Sequence, residues 1–306
     1  MTAISSNWQD LIDARFAKVF DDRYKQLPDL VGRFYTVVGA GDTPQKDSSR
    51  TSQAGAFGDF TEFTGTVTYQ DPAQGYDVTI TPREYTNGFQ ITRTAFDDDL
   101  TGILESKPKG LSTSYQRTRQ KHAASLLNNA FSLDGTWLNH TEGVPLCSNS
   151  HTTTSGASTA TGFDTLITGG FSAVNIIAAR MQMLQVRGDQ AERIAVMPDE
   201  LWVPVELEHL AYEYVESAGQ PDSANNNANF LEGKYQVKVW NYLTSAKNWF
   251  MTDSTMRKDA AIWFDRVAVE FAMVESFDEL IGKWRAYARY GLGWNDWRWI
   301  TGASVA

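Results

Sequence analysis

A chain of 306 residues that is 42% hydrophobic and 12% aromatic is long enough to bury a sizeable core, and its length fits one body with two subdomains. A formal net charge of −10 excludes the dense basic surface that gripping nucleic acid requires. The lone Cys147 rules out an intrachain disulfide and fits a reducing compartment. No basic-then-apolar leader and no apolar run of about eighteen residues occurs, so neither secretion nor membrane insertion is expected.

In chain order, Trp8, Leu11, Ile12, Phe16, Val19, Phe20, Tyr24 and Leu27 recur at helical spacing. Pro28 interrupts the pattern, and Leu30, Val31, Phe34, Tyr35 and Val38 partly resume it. This predicts a helical N-terminal arm. Gly, Ser, Thr, Asp and Gln dominate residues 39–58, which reads as an extended loop ordered only against another surface. From Gly65 to Phe96 the period becomes two. Val67 and Tyr69, then Tyr76, Val78 and Ile80, then Phe89 and Ile91 alternate with polar residues, and Asp71, Pro72 and Gly75 mark a turn. The expectation is a two-stranded β-ribbon with semi-polar faces. Such a ribbon is marginal alone in water and needs a partner surface.

Leu111, Tyr115, His122, Leu126 and Ala130 predict a long helix over about 110–131. Its basic face (Lys107, Lys109, Arg117, Arg119 and Lys121) follows directly on the acidic run Asp97, Asp98, Asp99. After a Ser/Thr/Gly-rich loop at 148–162, Val174, Ile177, Ala178, Met181 and Leu184 form a helical stripe. A short buried strand is expected over Arg193–Met197, and a helix that Pro204 opens. An Asn/Ala/Asp-rich loop interrupts this α+β unit at 218–229. The last third holds Trp240, Trp249, Trp263, Trp284, Trp294, Trp297 and Trp299, seven of the ten tryptophans. Val267, Val269, Phe271 and Met273 alternate along one strand, and Trp284, Ala286, Ala288 and Tyr290 along another whose other face carries Lys283, Arg285 and Arg289. A hairpin through Glu275, Asp278 and Glu279 joins the two. No internal repeat or heptad array occurs.

This order of elements resembles the major capsid proteins of tailed bacteriophages, including the Mu-like head subunits, which share the Hong Kong 97-type α+β fold. The words that carry the resemblance are DPAQGYDVTITPREYTNGFQITRTAFDDD at 71–99, RTRQKHAASLLNNAF at 117–131, GVPLCSNSH at 143–151, RIAVMPDELWVP at 193–204, NYLTSAKNWFMTDS at 241–254 and WRAYARYGLGWNDWRWITG at 284–302. The resemblance implies an N-terminal arm at 1–58 and an E-loop at 59–95 that lies across a neighbouring subunit. It further implies a P-domain at 96–150 with a spine helix, an A-domain at 151–261, a P-domain hairpin at 262–292 and a C-terminal A-domain segment at 293–306. The implied function is self-assembly as pentamers and hexamers into an icosahedral head around double-stranded DNA. Portal, scaffolding and decoration proteins would be partners, without sequence-specific DNA binding, membrane, cofactor or catalysis, in a virion assembled in the host cytoplasm. A shift of the arm and the 39–58 loop on shell expansion is also expected. The residues expected at subunit contacts are Tyr69, Tyr76, Arg83, Phe89, Arg93, Asp97, Asp98, Asp99, Arg117, Arg119, Glu275, Asp278, Lys283, Arg285 and Arg289.

Other chemistries are weighed on the same residues. Cys147 with His151 and His140 falls short of a zinc set or an oriented thiol–imidazole pair and reads as a structural turn. The aspartate run reads as a solvated face or a partner for basic residues rather than an ion site, and the tryptophans as core rather than a stacking platform. No lysine lies between Lys46 and Lys107, so the isopeptide welding of some capsid relatives has no nucleophile in the ribbon. An encapsulin-like compartment remains the alternative, distinguished by enzyme cargo in place of DNA. A soluble enzyme or carbohydrate-binding module, the more distant alternative, would be a small monomer or dimer.

Overall fold

The computed structural model describes residues 6–39, 48–67, 69–71, 74–98, 102–219, 228–276 and 281–305. Three sheets organise it. The first has strand order β1 (Thr36–Val38), β10 (Ala261–Ser276), β11 (Ile281–Trp294), β4 (Arg83–Thr92). The second is β2 (Ser49–Ala54), β3 (Gln74–Ile80), β5 (Leu138–His140). The third is β6 (Leu166–Ile167), β12 (Ile300–Ala303), β9 (Trp249–Thr252), β7 (Glu200–Val203), β8 (Gln236–Val239).

The arm is helical as expected up to Phe34, after which Thr36–Val38 pairs as strand β1 with β10 where a helical pattern was expected to resume. Helix α1 (Ser6–Gln26) ends before Pro28, and the short α2 (Val31–Phe34) follows it. The spine helix α4 (Ser106–Asn128) lies beside α1, and both cover the apolar face of the first sheet. Phe16 packs on Trp284 at 5.4 Å between ring centres, Phe20 stacks on Phe271 at 5.2 Å, and Leu111 meets Ala286. Alternation along β10 and β11 is the cause: Val269, Phe271, Met273, Trp284 and Ala286 face the helices, while Lys283 and Arg285 face solvent.

The largest core joins the third sheet to the inner ends of β10, β11 and α4. Phe34 sits at its centre, with its ring centre 4.9 Å from that of Trp202, 5.3 Å from Trp240 and 5.8 Å from Trp299. The tryptophans of the last third are thus packing residues, all of them buried. Helices α5 (Ala173–Leu184), α6 (Glu208–Glu216) and α7 (Ser254–Ala260) flank this sheet, and α3 (Arg93–Asp97) follows β4. Ser172 and Asp253 cap α5 and α7 by accepting from backbone N–H groups one turn on.

Three expectations are corrected. The ribbon over 65–96 does not form, because its two halves enter different sheets. Strand β3 pairs with β2 and β5, whereas β4 pairs along its whole length with β11. Phe89 stacks on Trp284 at 5.3 Å and Ile91 is buried beside Phe16, so β4 buries apolar area that a bare ribbon would leave wet. Gly88 admits the approach, since a Cβ there would lie 2.4 Å from the Trp284 carbonyl oxygen. Second, the polar stretch 39–58 is not all loop: Ser49–Ala54 forms β2 against β3, and residues 40–47 lie outside the described ones. Third, Arg193–Met197 is no strand. Arg193 makes only an isolated bridge to Arg187, the Met197 N–H donates to Asp253 Oδ2 at 2.7 Å, and Pro198 has no N–H to extend a ladder. The strand lies a few residues on, as β7.

Candidate assembly surface

Between β2 and β3 lies the segment 55–71, most of whose described residues are exposed, with apolar side chains standing in water. Phe57 is 62% exposed, Phe63 70%, Val67 62% and Tyr69 91%, and Phe60 is fully exposed. Asp59, Glu62 and Asp71 are exposed among them, and no Lys or Arg lies between Arg50 and Arg83. The tip is therefore both aromatic and acidic. Exposed apolar groups clustered this way mark interaction sites.

The base of this loop is held firmly. On β2, Arg50 and Ser52 bind the Asp77 carboxylate and hold it below the usual carboxylate range, the Ser52 hydrogen bond leading. On the other side, the Tyr76 hydroxyl lies 2.6 Å from Thr152 Oγ1, and Thr154 Oγ1 donates to the Gln74 carbonyl at 2.9 Å.

The remaining residues expected at contacts fall into three groups. Arg83, Arg93, Asp98, Arg117, Glu275, Lys283 and Arg285 are exposed, and Arg289 is partly so. With Lys107, Lys109 and Lys121, Arg117 gives the spine helix an exposed basic face. Phe89 and Arg119 are taken up inside their own subunit. Arg119 is buried, donates to Asp265 Oδ2 at 2.9 Å and to the Tyr24 hydroxyl at 2.7 Å, and lies over the Trp263 ring. Asp99 and Asp278 lie outside the described residues, as do the side chain of Asp97 and the turn through Glu279. Reading the sequence missed Phe57, Phe60 and Phe63; their regular spacing in a Gly/Thr-rich stretch without bulky neighbours was the available signal.

The Cys/His constellation proves to be packing. His151 stacks on Trp297 at 4.2 Å, and its ring nitrogens face Glu142 Oε1 and the Leu146 carbonyl, both at 3.2 Å. Neither nitrogen is left to serve the Cys147 thiol, which burial pushes up in pKa. Among the described residues no group of His, Cys, Asp or Glu could hold a metal ion, and no helix is long and apolar enough to cross a membrane.

The architecture is a spine helix over a four-stranded sheet, a five-stranded sheet packed on a tryptophan-lined core, and a long exposed loop closing a three-stranded sheet, as in a shell subunit. Comparison with known proteins gives the same class. The family model described as phage capsid protein matches residues 75–302, and the chain belongs to that family. Its fold is the Hong Kong 97-type capsid fold. The chain is similar to the subunit of the bacteriophage PhiM1 mature capsid, with a TM-score of 0.59 and 8% identity over 92% of this chain and 88% of that one. It is similar to the capsid of a native GTA particle, with 0.56 and 13% over 92% and 91%. The procapsid of bacteriophage JBD30 gives 0.53 and 14% over 98% and 76%. No curated protein matches the sequence.

Proposed function

We propose that this chain is the major capsid protein that assembles as pentamers and hexamers into the icosahedral head enclosing the double-stranded DNA of a tailed phage. The observation that carries the proposal is the 55–71 tip, where Phe57, Phe60, Phe63 and Tyr69 are exposed together within one short segment. A second copy supplies the cover. The tip is acidic and the exposed face of α4 is basic, so identical neighbours present complementary surfaces, and a closed lattice multiplies each modest contact. In this assignment the E-loop consists of β2, β3 and the segment between them. The exposed residues Arg83, Arg93, Asp98, Arg117, Glu275, Lys283 and Arg285 belong to subunit contacts, and Asp97, Asp99 and Asp278 are assigned with them. The −10 charge suits a container wall that lets DNA slide past it. Portal, scaffolding and decoration proteins complete the particle, assembled in the host cytoplasm.

The test is the triple substitution Phe57→Ser, Phe60→Ser, Phe63→Ser. Shells seen by electron microscopy should be lost while the soluble subunit keeps its secondary structure. Normal shells from this variant would overturn the proposal. Enclosed enzyme in place of DNA would favour a cellular compartment.

A further inference from the structure

The strand that carries the E-loop back into the subunit, β3, is fastened through a buried group of titratable side chains. Val78 of β3 pairs with His140 of β5, and below this pair Asp77 and Thr141 exchange two hydrogen bonds, Thr141 N to Asp77 O at 3.0 Å and Asp77 N to Thr141 Oγ1 at 2.8 Å. The His140 ring stacks on Trp294 at 4.3 Å, with the Tyr76 ring 6.0 Å away. The Glu142 carboxylate, wholly buried, lies between two imidazoles. Its Oε2 is 3.9 Å from His140 Nδ1, and its Oε1 is 3.2 Å from His151 Nδ1 and accepts from Thr152 N at 2.8 Å.

Two features of the hydrogen bonding matter. His140 Nδ1 accepts from the Glu142 backbone N–H at 3.3 Å, which requires that this nitrogen carry no proton. Meanwhile Glu142 Oε2 and Asn295 Oδ1 are buried without a hydrogen-bond partner. The Nδ1 contact is thus built for a neutral ring, and a proton added there would displace the Glu142 N–H and meet Glu142 Oε2 only at 3.9 Å, beyond hydrogen-bond reach.

We propose that His140 is an acid-released latch on the root of the E-loop: a neutral ring holds β3 to β5, and its protonation frees the root. The proposal rests on the E-loop reading above and concerns its regulation. Glu142 comes from the same turn, His151 from the 148–155 loop, Tyr76 from β3, Trp294 from the end of β11, and Asn295 and Asp296 from the residues just after it. The Asp77 carboxylate turns away to Arg50 and Ser52. Burial lowers the His140 pKa, and His151 adds to this, against the raising effects of Glu142, the Asn295 backbone and Asp296. A depressed histidine pKa stabilises the closed root fully above the ordinary value of about 6.5, and this stabilisation is lost as pH falls below that value.

The experiment is hydrogen exchange on the full-length subunit between pH 7.5 and 5, corrected for intrinsic rates, with β9 as internal reference. In the wild type, protection over 74–80 and 138–141 should fall below about pH 6.5 by up to about tenfold per pH unit, while β9 holds. His140→Phe keeps a ring over Trp294 and cannot titrate, so its protection should be flat. A flat wild type, or the same slope in His140→Phe, overturns the latch. Should that variant fail to fold, NMR titration of the wild-type His140 ring decides, and titration at or above about 6.5 overturns it. Failure of the E-loop reading shows separately, as unimpaired shells from the triple phenylalanine variant at pH 7.5.

Discussion

Arg257→Met should be among the most damaging single changes in this subunit. The Arg257 side chain, buried on α7, donates from Nε to Glu200 Oε2 at 3.1 Å and from Nη2 to Glu200 Oε1 at 3.2 Å. Its Nη1 donates to the carbonyls of Arg33 and Phe34 at the end of the arm. Methionine keeps the apolar stem against Phe34 and Trp202 but removes all of these donors. Glu200, itself buried, would retain only Trp202 Nε1 at 3.1 Å and Thr252 Oγ1 at 3.2 Å. Removing one partner of a buried ion pair costs about 3–5 kcal/mol, a large share of the roughly 5–15 kcal/mol that holds a domain folded. Urea titration of unassembled subunits should show a midpoint shift of that size at constant slope, with faster hydrogen exchange over 31–38. Adding Glu200→Gln should restore at least half, because the amide oxygen still accepts from Trp202 and Thr252 without a buried charge. A loss below about 1 kcal/mol, or a double variant no better than the single, would refute the reasoning.

Further outcomes follow from the same geometry. Arg119→Met leaves Asp265 with only the Trp263 indole N–H, at 2.8 Å, and should cost about 2–3 kcal/mol by denaturation, the low end because Asp265 is partly exposed. Gly88→Val sets a Cβ against the Trp284 carbonyl and should cost about 1–3 kcal/mol while raising hydrogen exchange over 83–92. Burial holds the Cys147 thiol protonated through the pH range where free cysteine ionises, so maleimide labelling at pH 8 should be at least about a hundredfold slower in the folded subunit than in urea. Shell assembly followed by light scattering should weaken as salt rises above physiological strength, if tip-to-spine charge pairs contribute at the contact.

The arm, the spine helix and the β10–β11 hairpin strands were legible because each is periodic and one-sided. Trp284, Ala286, Ala288 and Tyr290 alternate in sequence and are buried together in space. What misled was pairing. Residues 74–80 and 83–92 alternate equally well, and nothing in that alternation says that Pro82 is where the chain leaves one sheet for another. The Thr81 N–H is satisfied by the Trp137 carbonyl at 2.8 Å, a contact far off in sequence. Arg119 was misjudged for a similar reason: its charge looked like surface, yet Asp265 and Trp263 of β10 and Tyr24 of α1 enclose it. The 55–71 tip was underrated because its polar composition hid three phenylalanines.

The proposed contact also accounts for how a sticky tip could discriminate between surfaces. Apolar area alone would drive indiscriminate association, since hydrophobic burial is non-directional. Asp59 and Glu62 among the phenylalanines change that. A tip meeting another tip brings carboxylates together, whereas a tip meeting the face of Lys107, Lys109, Arg117 and Lys121 brings opposite charges together. Beyond roughly 8 Å these charges are screened at physiological salt, so the net −10 does little to hold whole subunits apart, and discrimination acts only at contact. In the proposed contact, burial of the aromatic rings would supply the adhesion, while the acidic residues would select which surface receives it.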